Sequence, residues 1–297
     1  MFPGILAGQI QQFTDNADRA SDILFAIRDS IPETEAAWLT TVDNTLANMF
    51  LRQSQWRLAL GSMDRIVERI PAATKHYVTQ YYPETSNSAE MEEILAAAFQ
   101  CEILSRQGRT FLQIGALPQA ATTFAAATQL WSSIETRIPS GLINHNLLKT
   151  LPIQMKLNAG LIDFADSRYD IALDSFSQAG DLFRAHGVPI KIYDPEDWMG
   201  PSVAGSDALT LVYTECINNM ALCALYMCRM QDAVSSLEGL IREDPSCFLT
   251  ERSAFNLCTL YELGGDSASS AQKKRMLQLI AKRFFLHDVG PESFRVN

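Results

Sequence analysis

One spacing of small and large residues recurs five times along the chain and constrains the fold more than any other feature. A Gly or Ala is followed twelve residues later by Ala, four after that by a large apolar residue, and three further on by a smaller or branched one. The copies are Gly8, Ala20, Leu24, Ile27; Ala47, Ala59, Met63, Ile66; Gly108, Ala120, Phe124, Ala127; Gly160, Ala172, Phe176, Ala179; and Ala221, Ala233, Leu237, Leu240. Offsets of three and four place residues on one face of a helix. The two small residues let antiparallel helices approach closely, while the large one fills the space against the next pair.

This pattern resembles the tetratricopeptide repeat, and it predicts an all-α chain: an α-solenoid of about six tetratricopeptide-like helix pairs. Leu46, Phe50, Phe111 and Leu225 fall on the inward stripe of the first helices, and Gly115 and Tyr169 fall in or just after the turns. A sixth unit opens with Phe255 to Leu263, and its second helix is expected to resume at Ala271 after an interruption over 264–270. The first copy is cryptic, because Gln11 and Gln12 stand where bulky apolar residues are expected. Pro32, Pro71 and Pro245 are each expected to end a second helix. Aligned on the packing Ala, the copies lie 39, 61, 52 and 61 residues apart, more than the 34 of an uninterrupted array. Insertions at 72–91, 131–151 and 186–208 are expected to take up the excess. The chain is thus read as N-terminal repeats over 1–73 and a repeat array with insertions over 74–297. The Pro- and Gly-broken segment Gly187 to Pro201 is expected to be a long loop or an interrupted helix.

Charge narrows the class of partner. Against 24 Lys and Arg stand 34 Asp and Glu, a net charge of −10. That sign disfavours binding to phosphate backbones and to anionic lipid headgroups, so the expected partner is another protein, with no nucleic acid and no membrane insertion. No stretch approaches the roughly 20 apolar residues of a membrane span, and Met1 to Gly8 lacks the basic flank and cleavage site of a signal peptide. Cys101, Cys216, Cys223, Cys228, Cys247 and Cys258 form no CxxC pair. They are read as small buried hydrophobes in a reducing compartment.

Catalytic chemistry finds no foothold. The four histidines, His76, His145, His186 and His287, make no metal-ligand spacing. Gly264-Gly265-Asp266 lacks the strand and lysine of a phosphate cradle, and the serines of 267–270 lack a nucleophile-elbow context. The expectation is a non-enzymatic chain with no catalytic residue, metal or cofactor.

Binding is the remaining class. In a stack of helix pairs the first helices line the concave face, which here would carry Ser105, Arg109 and Leu112, then Leu157, Leu161 and Phe164, then Asn218, Leu222 and Leu225. Such a lining is mostly apolar and lacks the basic cluster that clamps a terminal carboxylate. Its occupant is either a helix of another protein or the chain's own insertions. Tyr77, Tyr81 and Tyr82, with the acidic-aromatic Tyr193, Asp194, Glu196, Asp197 and Trp198, are candidate protruding contacts that otherwise fold back onto their own helices.

Several segments are specific enough to suggest a family. Glu215 to Cys223, Leu237 to Pro245, Phe255 to Leu263 and Gln272-Lys273-Lys274 resemble the subunit 12 family of the TRAPP vesicle-tethering complex. Gln55 to Ala59, Tyr81-Tyr82-Pro83, Phe111 to Gly115 and Asn158 to Gly160 are similar to it as well. The resemblance covers about residues 50–297 and is strongest over 215–280. It departs at Gly264-Gly265-Asp266 and at Phe284 to His287, and animal members carry a long N-terminal extension that finds no match here. The resemblance implies a non-catalytic scaffold subunit of a TRAPP III-type complex. Its partners would be the large subunits 8 and 11 and, indirectly, a Rab1/Ypt1-type GTPase whose nucleotide exchange the complex catalyses. It also implies a cytoplasmic protein held at Golgi and ER–Golgi intermediate membranes through the complex, in ER-to-Golgi transport and autophagy. A free-standing adaptor for short helical peptides is the alternative.

Overall fold

In the computed structural model, residues 17–82, 88–142, 145–185, 205–287 and 289–295 are described. All regular structure among them is helical: α1 (Ala17–Ser30), α2 (Ala36–Arg52), α3 (Trp56–Tyr81), α4 (Ser88–Gln113), α5 (Leu117–Ile134), α6 (Asn146–Ala165), α7 (Tyr169–Ala185), α8 (Gly205–Tyr226), α9 (Met230–Glu243), the single turn α10 (Pro245–Phe248), α11 (Glu251–Gly264) and α12 (Ser267–Arg283). Three short 3-10 segments, Glu135–Arg137, Ser140–Leu142 and Pro291–Phe294, complete the order. The described residues fall into two compact units, 17–158 and 159–185 with 206–295. The expected division near residue 73 falls inside α3, which runs on without a break.

The repeated spacing is the packing code. Ala47 with Ala59, Gly108 with Ala120, Gly160 with Ala172, and Ala221 with Ala233 are each the small residues of consecutive helices, and the four alanines at the second position are wholly buried. Met63, Phe176 and Leu237 are buried with them at 0–1% exposure, and Phe124 at 5%. The two glycine copies among the described residues show why the residue is so small. A Cβ on Gly108 would overlap the Phe124 ring, with Cζ at 2.9 Å, and one on Gly160 would meet Phe176 Cε1 at 2.5 Å. Where the small residue is Ala, the partner four past the packing Ala is Met63 or Leu237 rather than Phe. Ring and missing methyl are complementary.

The turn inside each pair repeats as well. Ser54, Gly115, Ser167 and Cys228 all adopt positive φ, between 57° and 76°, and each lies five residues before its packing Ala. The following amide reaches back five residues in every copy: Gln55 to Phe50, Ala116 to Phe111, Arg168 to Asp163 and Arg229 to Ala224, at 2.7–2.8 Å. These are Schellman-type helix ends, which satisfy orphan carbonyls and reverse the chain.

Two expectations change. Pro71 does not end α3; it sits on the exposed side of that helix, which continues to Tyr81. Burial of Ile70, Ala73, Tyr77 and Val78 along the same stretch, at about 1.5–3 kcal/mol for each large side chain, outweighs the roughly 3 kcal/mol that an interior proline costs. Most of the excess at 72–91 is therefore lengthened helix, α3 and α4 each running 26 residues, and much of that at 131–151 is the 3-10 turns leading into α6. In the sixth unit α12 starts at Ser267, four residues earlier than expected, because Asp266 caps it by accepting from the Ser269 amide at 2.8 Å. Its buried line is Ser270, Lys274, Leu277 and Ala281. Lys274 stands in the place of the large apolar residue, is neutralised by Glu262 and donates to the Arg295 carbonyl at 3.1 Å.

Candidate protein-binding surfaces

In the first unit the first helices meet through polar side chains. Arg106 of α4 donates to Asn44 Oδ1 at 2.5 Å and Asn48 Oδ1 at 2.6 Å on α2. Gln107 reaches Asp64 of α3 at 2.7 Å, and Asn158 of α6 donates to Ser105 Oγ at 2.8 Å. Arg109 donates to Asn158 Oδ1 at 3.2 Å and lies 4.0 Å from Glu102. Burial presses the Arg106 guanidinium below its ordinary pKa, with Glu102 opposing that shift. The expected apolar lining is here a hydrogen-bonded polar seam, which fixes register between helices rather than offering a greasy trough. Arg109 is part of that seam, and Leu157, at 1% exposure, is core.

A second charged cluster ties α1, α2 and α3 together. The Asp43 carboxylate is completely buried and takes Arg65 at 2.8 Å, Arg69 at 2.6 Å and Arg28 at 3.3 Å. Three guanidiniums on one buried carboxylate anchor the elements to one another.

The tyrosines separate. Tyr77 is fully buried, its ring 4.8 Å from that of Tyr81, 6.2 Å from that of Tyr82 and edge-on to His145 at 6.0 Å. It is a core residue, not a protruding contact, because α3 extends through it and carries it under α4. Tyr81 and Tyr82 are half-buried against the same core. Tyr193, Asp197 and Trp198 lie outside the described residues.

In the second unit Asn218 is buried and accepts from Asn256 Nδ2 at 2.6 Å, so it joins α8 to α11. Leu161 and Leu222 are partly exposed. Near them in sequence the structure assembles a cluster that the sequence reading did not single out. Phe164 at the end of α6, Tyr169 at the start of α7 and Tyr226 at the end of α8 close into a triangle. Tyr169 and Tyr226 stack at 4.9 Å and 20°, and Phe164 meets both edge-on at 5.2 and 5.3 Å. Tyr226 is 57% exposed. Each residue sits next to a repeat turn, which is the signal that could have found the cluster. Aromatic rings held rigidly by neighbours and open on one side suit a protein contact.

The thiols are inert where they are buried. Burial, with help from Glu102 and Glu215, pushes Cys101 and Cys216 up to about 12, and burial pushes Cys223 and Cys258 up to about 11. Cys228 and Cys247 are exposed, which corrects the uniform reading of the six as core. Among the described residues no group of three His, Cys, Asp or Glu could hold a metal ion, and no helix is long and apolar enough to cross a membrane.

With this geometry in hand, known proteins give a local match. A 67-residue segment is 40% identical to trafficking protein particle complex subunit 12 of Mus musculus, and 60 residues are 43% identical to that of Homo sapiens. The matches cover 22% and 20% of this chain but 8% of each relative, so the chain aligns with under a tenth of the length of those proteins. The chain therefore carries a TRAPP-related region. No family model matches. The crystal structure of BtubC (BKLC) from P. vanneervenii superposes with TM-score 0.48 at 15% identity, over 95% of this chain and 94% of that one, a likeness too faint to add to the fold described above.

Proposed function

We propose that the chain is a non-catalytic scaffold subunit of a TRAPP vesicle-tethering complex. In this reading it joins the large subunits 8 and 11 in a TRAPP III-type assembly that promotes nucleotide exchange on a Rab1/Ypt1-type GTPase, and so serves ER-to-Golgi transport and autophagy. The observation that carries the reading is the 40–43% identity, over 60–67 residues, to subunit 12 of two mammals. The repeated helix pairs are compatible with a scaffold. Affinity capture of the tagged chain from its native cells, followed by mass spectrometry, tests it: TRAPP core subunits recovered in near-equal amounts support the reading, and their absence overturns it.

A second reading, a free-standing adaptor for short helical peptides, is favoured by the open aromatic triangle and the partly exposed Leu161 and Leu222. It predicts that Leu222→Glu abolishes peptide capture while leaving the helical signal unchanged.

A further inference from the structure

The outer face of α12 breaks a rule that the other second helices keep. Six and nine residues after the packing Ala, the earlier copies carry Ala26 and Asp29, Arg65 and Glu68, Ala126 and Gln129, Gln178 and Asp181, and Gly239 and Arg242. All are small or polar, and all but Arg65, which turns in to Asp43, and the part-buried Gly239 are exposed. Counted from Ser270, which takes the place of the packing Ala, the same positions in α12 are Met276 and Leu279, exposed at 54% and 59%. The helix ends on Phe284 and Phe285, exposed at 42% and 76%, and Phe285 holds a positive φ of 57°. The solvent-facing side of a surface helix is normally polar. This one turns out four large apolar side chains.

The charge around them is also reversed. Residues 267–297 hold six Lys and Arg against two Asp and Glu, while the preceding 266 residues hold 18 against 32. Arg275, Lys282 and Arg283 share the exposed side of α12 with Met276 and Leu279. Unlike Lys273, which pairs with Glu238, and Lys274, which pairs with Glu262, those three make no ion pair among the described residues. The face is the convex outside of a helix, and Lys282, Arg283, Phe284 and Phe285 line only a shallow, open depression. A partner helix needs holes for its knobs. A lipid surface needs none; it takes protruding apolar side chains between its headgroups and basic ones among its phosphates.

We propose that the outer face of α12, with the Phe284-Phe285 end, docks on an anionic membrane surface. The inference goes beyond the scaffold reading and does not depend on membership of any complex. It also departs from the expectation drawn from net charge, because the overall excess of acid is not shared by residues 267–297.

The test is flotation of the full 297-residue chain with phosphatidylcholine vesicles, plain or containing about 30% phosphatidylserine. Binding to the anionic vesicles, weak binding to the plain ones and release by high salt are expected. Phe285→Asn suits the left-handed backbone and keeps the fold, and it should lower binding about tenfold. Lys282→Gln with Arg283→Gln should lower anionic binding by about fivefold per charge. Leu58→Ser, at a half-exposed leucine in the first unit, should change nothing. Failure of the wild-type chain to float with anionic vesicles overturns the proposal. So does unaltered flotation of the Phe285→Asn chain, or a patch variant that floats normally and instead breaks a self-association of the chain.

Discussion

Gly108 and Phe124 give the sharpest test of the packing code. Gly108→Ala places a methyl inside the Phe124 ring edge, three ring atoms of which would lie within 3 Å. Phe124 is 5% exposed and three of its ring atoms would have to give way, so the overlap should cost near the upper end of the 1–3 kcal/mol typical of overpacking. Helix propensity returns about 1 kcal/mol, since Ala is favoured over Gly inside a helix. The net loss is about 2 kcal/mol, or roughly 4–8 °C in Tm for a unit of this size. Phe124→Leu alone should cost about 1 kcal/mol by leaving a gap. The double variant recreates the arrangement that the chain already uses at Ala221 and Leu237, and it should recover most of the loss, with a coupling of about 1–3 kcal/mol. Urea unfolding followed by circular dichroism at 222 nm measures all four corners of the cycle. If Gly108→Ala stabilised the protein, or if the two single effects simply added, the complementarity would be wrong.

Other consequences follow from the same contacts. Asp43→Asn removes the charge shared by Arg28, Arg65 and Arg69 and should destabilise the first unit by about 3 kcal/mol, read as a shift in urea midpoint. Ser167→Gly relieves a positive φ of 62° and should stabilise by up to about 1 kcal/mol, whereas the same change at a helical serine should destabilise. Iodoacetamide on the native protein at pH 8 should modify Cys228 and Cys247 and spare the four buried thiols, as peptide mass spectrometry would show; rapid labelling of Cys216 would contradict the burial. The four buried thiols titrate higher in the folded state than the ordinary 9.0, so the stability they confer is complete below pH 9 and is lost as pH rises through 11–12. Cys216→Ala should flatten that alkaline fall in Tm.

Helix pairing was legible because close packing leaves a local trace: small residues must sit where backbones touch, and Ala59, Ala120, Ala172 and Ala233 lie there. What escaped depends on tertiary partners. Pro71 reads as a helix stop in isolation, yet burial of the turns around it keeps α3 intact. Arg and Lys are seldom buried unless paired, and only the arrival of Asn44, Asn48 and Glu262 from other helices lets Arg106 and Lys274 go inside. The reversing turns were visible at Gly115 and beside Tyr169 but not at Ser54 and Cys228, which adopt the same backbone without glycine's freedom. Among the candidate site residues, Leu161 and Leu222 stayed on a surface; Tyr77, Leu157 and Asn218 went into packing, since an apolar or amide residue on an inward stripe looks the same whether a neighbour or a partner covers it.

The central claim is association with a TRAPP complex, and size-exclusion chromatography of the purified chain with TRAPP large subunits 8 and 11, alone and added to the core, tests it most directly. The account predicts co-elution at micromolar concentration. Elution of the chain by itself near 33 kDa in every mixture would contradict it.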